Sequence, residues 1–266
     1  MHNDRLRAVL DTIDRPIAVA VSGGIDSLTL SDFAHRLMGD RVTMFHAVSP
    51  AVPGDATARV ERLADERGWR LKVIDAGEFD DADYMANPVD RCFFCKTNLY
   101  GAIASWTDAQ IVSGANLDDL GEYRPGLDAA KNQGVRHPFL EAKIDKAAVR
   151  GLARSIGLGN LAELPAAPCL SSRVETGIPI RADMLKAIHA VERRIAQRFP
   201  HGVVRCRVRA TGVVIELDPV TLDALEPTYA DETRAMAADL LDDKVPAAGL
   251  AFAPYRNGSA FLVRRS

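Results

Sequence analysis

Apolar positions in the first two thirds of the chain follow two alternating spacings. Short unbroken runs rich in β-branched residues are each followed by a stretch whose apolar residues recur every three or four positions. Residues 17–21 (IAVAV) contain no polar position, as expected of a strand buried on both faces. A turn follows, and then Leu30, Phe33, Ala34 and Leu37 fall at i, i+3, i+4 and i+7, which predicts an amphipathic helix. A second strand is predicted at 42–48, and the helix after it carries Val60, Leu63 and Ala64 and ends near Gly68. Residues 71–74 and 111–112 give a third and a fourth strand. Val149, Leu152, Ala153 and Ile156 mark a later helix, with Gly157 placed to cap its C-terminus. Strands alternating with helices in this way predict an α/β fold, an open parallel sheet covered by helices.

Between Gly157 and Gly177 the pattern breaks, with Pro165 and Pro168 and few charges, and the segment reads as a functional connector. Beyond it Met184, Leu185, Ile188, Val191, Ile195 and Phe199 predict a long helix. Strands at 203–209 and 213–217 follow, joined by a short Ala-Thr-Gly hairpin turn. The expected organisation is a sheet domain over 1–165 and a smaller α/β domain over 166–266, the second serving substrate binding and oligomerisation.

Composition narrows the class. With 47% hydrophobic and 26% charged residues among 266, the chain can bury a core without disulfides. No apolar run approaches the ~20 residues of a membrane span, and the charged, periodic first residues do not read as a signal peptide. The expectation is a cytoplasmic protein with no membrane partner. Lys and Arg total 33 against 36 Asp and Glu, a net charge of −3, so no nucleic-acid partner is expected.

Residues 22–27 read Ser22-Gly23-Gly24-Ile25-Asp26-Ser27, between a buried strand and a helix. The glycines let successive N–H groups turn inward, the serines add hydroxyls, and the helix N-terminus adds a partial positive charge. Together these make a nest for phosphates. The Gly-Lys-Ser/Thr of a Walker loop is missing, and the string matches instead the SGGxDS motif of the pyrophosphate-loop ATPases. A plain Gly-Gly turn capped by Asp26 or Ser27 is the structural alternative. The fourth strand runs into Ser113-Gly114-Ala115-Asn116-Leu117-Asp118-Asp119, at the strand end where open sheets bind ligands. Gly114 and Asp118 are therefore assigned to ATP, and Asp118 with Asp119 to Mg²⁺, a hard cation that prefers oxygen.

Of the four cysteines, Cys206 alternates with Arg205, Arg207 and Arg209 in a strand, and shares the opposite face with Val204 and Val208. It reads as a small buried hydrophobe. Cys92 and Cys95 form a CxxC, and Cys169 lies in a proline-flanked loop. Structural zinc wants four ligands, which these three reach only if a histidine such as His137 joins them. A [4Fe-4S] cluster held by three thiolates leaves one iron open to sulfide or substrate.

Several strings now coincide. SGGIDS at 22–27, RCFFCK at 91–96, SGANLDDLGEYRPG at 113–126 and CLSSR at 169–173 resemble the LarE-type ATP-dependent sulfur transferases, which make the organic ligand of the nickel-pincer cofactor. The resemblance runs from about residue 17 to YRNGS at 255–259 and is most specific in the first domain. It implies a Rossmann-like domain of the adenine nucleotide α-hydrolase type and a nucleotide substrate, pyridinium-3,5-biscarboxylate mononucleotide. ATP would adenylate a carboxylate and release pyrophosphate, and a cysteine-linked sulfur would displace AMP. Some members sacrifice the sulfur of one cysteine, which becomes dehydroalanine. Others carry three cysteines and pass sulfide from an iron–sulfur cluster, and Cys92, Cys95 and Cys169 put this chain with them. The resemblance further implies catalytic roles for Cys169 and Asp26, a sulfide or persulfide donor, and a homo-oligomer. Arg124, Arg173, Arg205 and Arg207 become candidates for the substrate phosphate, since guanidinium pairs bidentately with it. A solvated cationic strand face is the alternative for Arg205 and Arg207. Glu192 and Glu216 resemble acidic residues linked with metal binding. One departure is the Val174-Glu175-Thr176-Gly177 string, where relatives carry an aromatic before the glycine.

Three other readings compete. A tRNA thiolase would bind RNA in a salt-sensitive way. An amide-forming ligase shares the phosphate loop but needs no cysteines. A nucleotide sensor would hold ATP without releasing pyrophosphate.

Overall fold

In the computed structural model, which describes residues 2–121, 125–165, 168–245 and 249–261, the apolar run at 17–21 becomes an inner strand of a parallel sheet. In chain order the elements are α1 (His2–Asp11), β1 (Ile17–Ala20), α2 (Ile25–Met38), β2 (Val42–Ala47), α3 (Gly54–Arg67), β3 (Arg70–Ile74), α4 (Ala82–Met85), α5 (Arg91–Trp106), β4 (Gln110–Ser113), α6 (Pro125–Asn132), α7 (Pro138–Glu141) and α8 (Lys146–Ser155). They continue with α9 (Ala182–Arg198), β5 (Val204–Arg209), β6 (Gly212–Leu217), α10 (Pro219–Asp223), α11 (Pro227–Leu241) and β7 (Leu250–Pro254). Two units divide the chain. The first takes Met1–Asp81 and Asp90–Ala167, and the second takes Ala82–Val89 and Pro168–Ser266.

The first unit is a four-stranded sheet in the order β3-β2-β1-β4, with every pairing parallel. Side-chain alternation splits β1 between two cores. Ile17 and Val19 join Leu6 and Leu10 of α1, Leu28 and Leu30 of α2, Val60 of α3 and Val149 and Leu152 of α8. Ala18 and Ala20 face Tyr100 and Ile103 of α5 and Ala130 of α6. Burial on both faces explains why β1 tolerates no polar residue. The chain winds from β1 through β2 to β3, then returns to the other side of β1 for β4. The strand order therefore reverses between β1 and β4, and ligands of open α/β sheets bind outside the strand C-termini at such a point.

α3 ends where Gly68 adopts φ +68°, and Gly157 at φ +74° follows the end of α8. Both are places where a left-handed conformation favours glycine.

The second unit is a three-stranded sheet, β5-β6-β7, in which β5 and β6 form an antiparallel hairpin and β7 runs parallel to β6. α9 packs on β5 and against α11. Its apolar stripe (Met184, Leu185, Ile188, Val191 and Ile195) is buried, as are Val204, Cys206 and Val208 of β5. The short α4 segment belongs to this unit although it lies far back in sequence. Asn87, at φ +54°, donates its side-chain amide to the carbonyls of Glu175 and Ile178, both at 2.9 Å. No helix among the described residues is long and apolar enough to cross a membrane.

Candidate active site

In the first unit, the loop after β1 opens onto the N-terminus of α2. Ser22 N–H donates to Ser27 Oγ at 3.1 Å, and Ser27 Oγ donates to the Gly24 carbonyl at 3.0 Å. The two serines thus fold the loop back on its own helix. Gly24 at the N-cap gives α2 no side-chain cap, so the first-turn N–H groups receive no side-chain acceptor there. Gly23 sits at φ +79°, and a Cβ on it would fall 2.8 Å from the Ala56 carbonyl oxygen of α3. Both its conformation and its contact require glycine.

The loop after β4 closes on the same place. A Cβ on Gly114 would lie 2.8 Å from the Ser27 nitrogen and 2.9 Å from the Asp26 carbonyl carbon. Buried Asn116 donates Nδ2–H to Asp26 Oδ1 at 3.3 Å, while its own Oδ1 accepts from the Asp118 N–H at 3.1 Å. Lys146, the first residue of α8, forms an ion pair with Asp26 Oδ2. Its backbone N–H donates to Asp118 Oδ2 at 3.2 Å, and Asp119 Oδ2 accepts from the Asn116 N–H at 3.0 Å. Ser22, Gly23, Gly24, Asp26, Ser27, Gly114, Asp118 and Asp119 are thereby gathered into one neighbourhood. Carboxylates are hard oxygen donors of the kind Mg²⁺ prefers, but here Asp26 is paired with Lys146, and Asp118 and Asp119 accept backbone N–H groups.

Several residues support this site outside the roles that the sequence patterns assign. Lys146 and Asn116 hold Asp26 from distant parts of the chain. His46, buried on β2, bonds through Nδ1 to the Val21 carbonyl and through Nε2 to Thr57 Oγ1, both at 2.9 Å. A carbonyl only accepts, so Nδ1 carries the proton and Nε2 accepts from the threonine. Burial pushes the His46 pKa down, against the Val21 contact and Glu61, and keeps the ring neutral. Arg59 of α3 donates to the Gly23 carbonyl at 2.8 Å. His137, at the N-cap of α7, shares a 2.8 Å hydrogen bond with Ser113 Oγ. Burial lowers its pKa, with Glu141 and Asp119 opposing and Lys96 reinforcing.

Cys92 lies in the first turn of α5 and Cys95 at the start of the second, and the N-cap, Asp90, makes no side-chain cap. Spaced i, i+3, they share one helix face. Both are half-buried and free of disulfide. They suit two ligands of one metal centre. Among the described residues, no group of three or more His, Cys, Asp or Glu side chains is gathered to hold a metal ion.

Cys169 belongs to the second unit, half-buried at the head of a short 3-10 turn, Leu170–Arg173. This loop wraps the guanidinium of Arg173, which donates through Nη1 to the Pro168 carbonyl at 2.8 Å and the Cys169 carbonyl at 3.3 Å. The other edge of Arg173 grips Glu192 bidentately, at 2.9 and 3.0 Å. Glu192 Oε1 also accepts the Cys206 N–H at 2.9 Å. Tyr84 of α4 bonds Ser171 Oγ at 2.7 Å. Arg207 joins Glu216 at 3.1 Å and donates to the Ser172 carbonyl at 2.9 Å.

The arginine face of β5 is therefore no solvated surface, since Arg207 is only 3% exposed. The two glutamates first considered as metal ligands, Glu192 and Glu216, are each paired with an arginine. Burial acts to raise the Glu216 pKa, but Ser259, Arg207 and Arg256 outweigh it and hold the group below its usual value. Half-buried Arg205 stands near Arg173, Arg207 and Tyr255, its ring contact with Tyr255 at 5.9 Å. Cys206 is fully buried, and burial drives its thiol pKa far up, as suits an inert core residue. Arg124 lies outside the described residues.

No family model matches the chain. It is 25% identical over 173 residues to one component of the glutamine-hydrolysing GMP synthase of Pyrococcus furiosus, spanning 58% of this chain and 54% of that one. The fold and the phosphate loop are those of a pyrophosphate-loop ATPase domain. It is also 33% identical over 220 residues to an uncharacterised Synechocystis protein, spanning 81% of each. Against the pyridinium-3,5-bisthiocarboxylic acid mononucleotide synthase of Lactiplantibacillus plantarum the identity is 30% over 206 residues, 75% of this chain and 74% of that enzyme. The chain belongs to the family of that synthase, the LarE-type proteins.

Proposed function

We propose that this protein is an ATP-dependent sulfur transferase that converts a carboxylate of pyridinium-3,5-biscarboxylate mononucleotide into a thiocarboxylate. The observation that carries the reading is the joint formed by Gly114 and the 22–27 loop, a phosphate nest flanked by Asp26, Asp118 and Asp119. Membership of the synthase's family supports the substrate class.

The 22–27 loop and the start of α2 would hold the triphosphate, and Asp118 and Asp119 are the residues proposed for Mg²⁺, which would screen phosphate charge when bound. A substrate carboxylate oxygen attacks the α-phosphorus, the α–β bridge breaks, and pyrophosphate leaves with the bonding electrons. Arg205, beside Arg173 and Arg207, supplies the positive field for the substrate's own phosphate. Sulfur carried on cysteine then attacks the acyl carbon, and AMP leaves with the electrons of the C–O bond. If Cys169 is itself the donor, its α-proton is lost and its Cβ–Sγ bond breaks. This yields thiocarboxylate and dehydroalanine with no outside reductant.

Cys92, Cys95 and Cys169 are the ligand set proposed for a [4Fe-4S] cluster, which when present would supply sulfide in place of the Cys169 sulfur. The i, i+3 placement of Cys92 and Cys95 supports two of its three ligands. A sulfide or persulfide donor outside the chain would renew the sulfur.

The test uses anaerobic protein given ATP and the biscarboxylate mononucleotide, with AMP, pyrophosphate and product mass followed together. Iron and labile sulfide are counted in wild type and in Cys92→Ala, Cys95→Ala and Cys169→Ala. Exchange of oxygen for sulfur in the product is the expected result, and loss of H₂S mass from the chain would assign Cys169 as sacrificial donor. AMP release that needs ammonia and survives all three replacements would overturn the proposal in favour of an amide-forming ligase.

A further inference from the structure

Arg59 is a half-buried guanidinium that, among the described residues, forms no ion pair. Arg36 and Arg67 share Asp32 and Arg150 reaches Glu163, while Arg15, Arg41 and Arg70, like Arg59, bond carbonyls, but at the surface of the unit, away from the 22–27 loop. Among the described residues, Arg59 hydrogen-bonds the Gly23 carbonyl, inside the 22–27 loop. Burial pulls its pKa down, with Asp55 opposing and Arg62 reinforcing. A cation that loses water and gains only a carbonyl is costly, and an anionic partner would offset the cost.

Placement supplies the second argument. Gly23 lies so close to the first turn of α3 that a Cβ would strike the Ala56 carbonyl oxygen at 2.8 Å. Arg59 is three residues beyond Ala56, on the same helix face. Its side chain therefore rises beside the loop that the SGGIDS string forms. A guanidinium carries five N–H donors, and the Gly23 carbonyl takes one of them.

We infer that Arg59 is a phosphate-binding residue of this site, anchored by the Gly23 carbonyl and using its remaining donors on the terminal phosphates of ATP. The inference rests on the ATP reading proposed above. Negative charge grows on the pyrophosphate as the α–β bond breaks, and a fixed cation there holds the leaving group as well as the nucleotide.

The experiment titrates pyrophosphate and AMP separately into the full-length protein, as wild type, Arg59→Ala and Arg59→Lys, with urea midpoints measured alongside. Arg59→Ala is expected to weaken pyrophosphate binding by about 10- to 100-fold, the loss of charge-assisted hydrogen bonds. AMP, which lacks the terminal phosphates, should stay within about threefold, and Arg59→Lys should recover part of the loss. An unchanged pyrophosphate affinity overturns the inference, as do pyrophosphate and AMP affinities that fall in parallel, which would signal a distorted loop. Should Arg59→Ala not fold, Arg59→Lys decides alone, because an ammonium cannot reproduce the fork and must bind pyrophosphate more weakly. Wild type that binds neither AMP nor pyrophosphate sinks the ATP reading as well. Wild type that binds while both variants match it sinks this inference only.

Discussion

Gly114 approaches Ser27 so closely that a methyl group on its Cα would sit 2.8 Å from the Ser27 nitrogen. The end of β4 is thereby pressed against the first turn of α2, with no room for a side chain between them. Gly114→Ala should force the two loops apart, at a cost of about 1–3 kcal/mol in urea unfolding. Because the atoms displaced belong to the loop proposed to hold the triphosphate, ATP affinity should fall with it. A variant of wild-type stability and unchanged ATP binding would contradict this geometry.

Lys146 and Asp26 are 31% and 27% exposed at the side chain, so their ion pair adds less than about 1 kcal/mol to stability. Its larger effect is local charge. Lys146→Met leaves the Asp26 carboxylate unneutralised beside a bound triphosphate, and the KM for ATP should rise about tenfold or more. Lys146→Arg, which keeps the positive charge beside Asp26, should retain part of that affinity. Steady-state pyrophosphate release measures both.

The Arg173–Glu192 pair is buried, and breaking such a pair from one side strands a charge. Glu192→Ala should cost about 3–5 kcal/mol, since it also strips the Cys206 N–H of its acceptor. Arg173→Met combined with Glu192→Met should cost less than the sum of the two single changes. Chemical denaturation of the four proteins forms the double-mutant cycle.

His46 makes stability depend on pH in a definite direction. Its folded pKa lies below the ordinary 6.5, so the unfolded chain binds the proton more readily. Stability is full above about pH 7 and declines as the pH drops below 6.5 towards the folded value. His46→Gln removes that titration, and its urea midpoint should change less between pH 7.5 and 5.5 than that of wild type. Equal slopes in the two proteins would assign the acid sensitivity elsewhere.

Local pattern makes much of the sheet legible. β1 can be read because burial on both faces excludes polar residues, and the helix ends at Gly68 and Gly157 because glycine is favoured at positive φ. β3 is harder to read by pattern, since Arg70, Lys72 and Val73 are exposed at the sheet's edge. The SGGIDS string marks the turn between β1 and α2, but not what surrounds it. Lys146 meets Asp26 across 120 positions, and Asn116 meets it across 90. Asn116 lies in the 113–126 string, yet nothing in that string or around Lys146 points to Asp26, so only the folded chain brings them together. Arg173 and Glu192 show the same limit from the other side. Each reads alone as a ligand-binding charge, and only their contact shows that they hold each other.

The Ala82–Val89 segment interrupts the first unit and is built into the second. On a ribosome adding about 5–20 residues per second, Asn87 emerges several seconds before the carbonyls of Glu175 and Ile178 that its amide will meet. The later unit is thus started early and left open until the Cys169 loop has been made. Neither unit is a continuous stretch of gene, so a stop codon placed after Ala167 would yield a phosphate-loop domain carrying an orphaned strip of its neighbour.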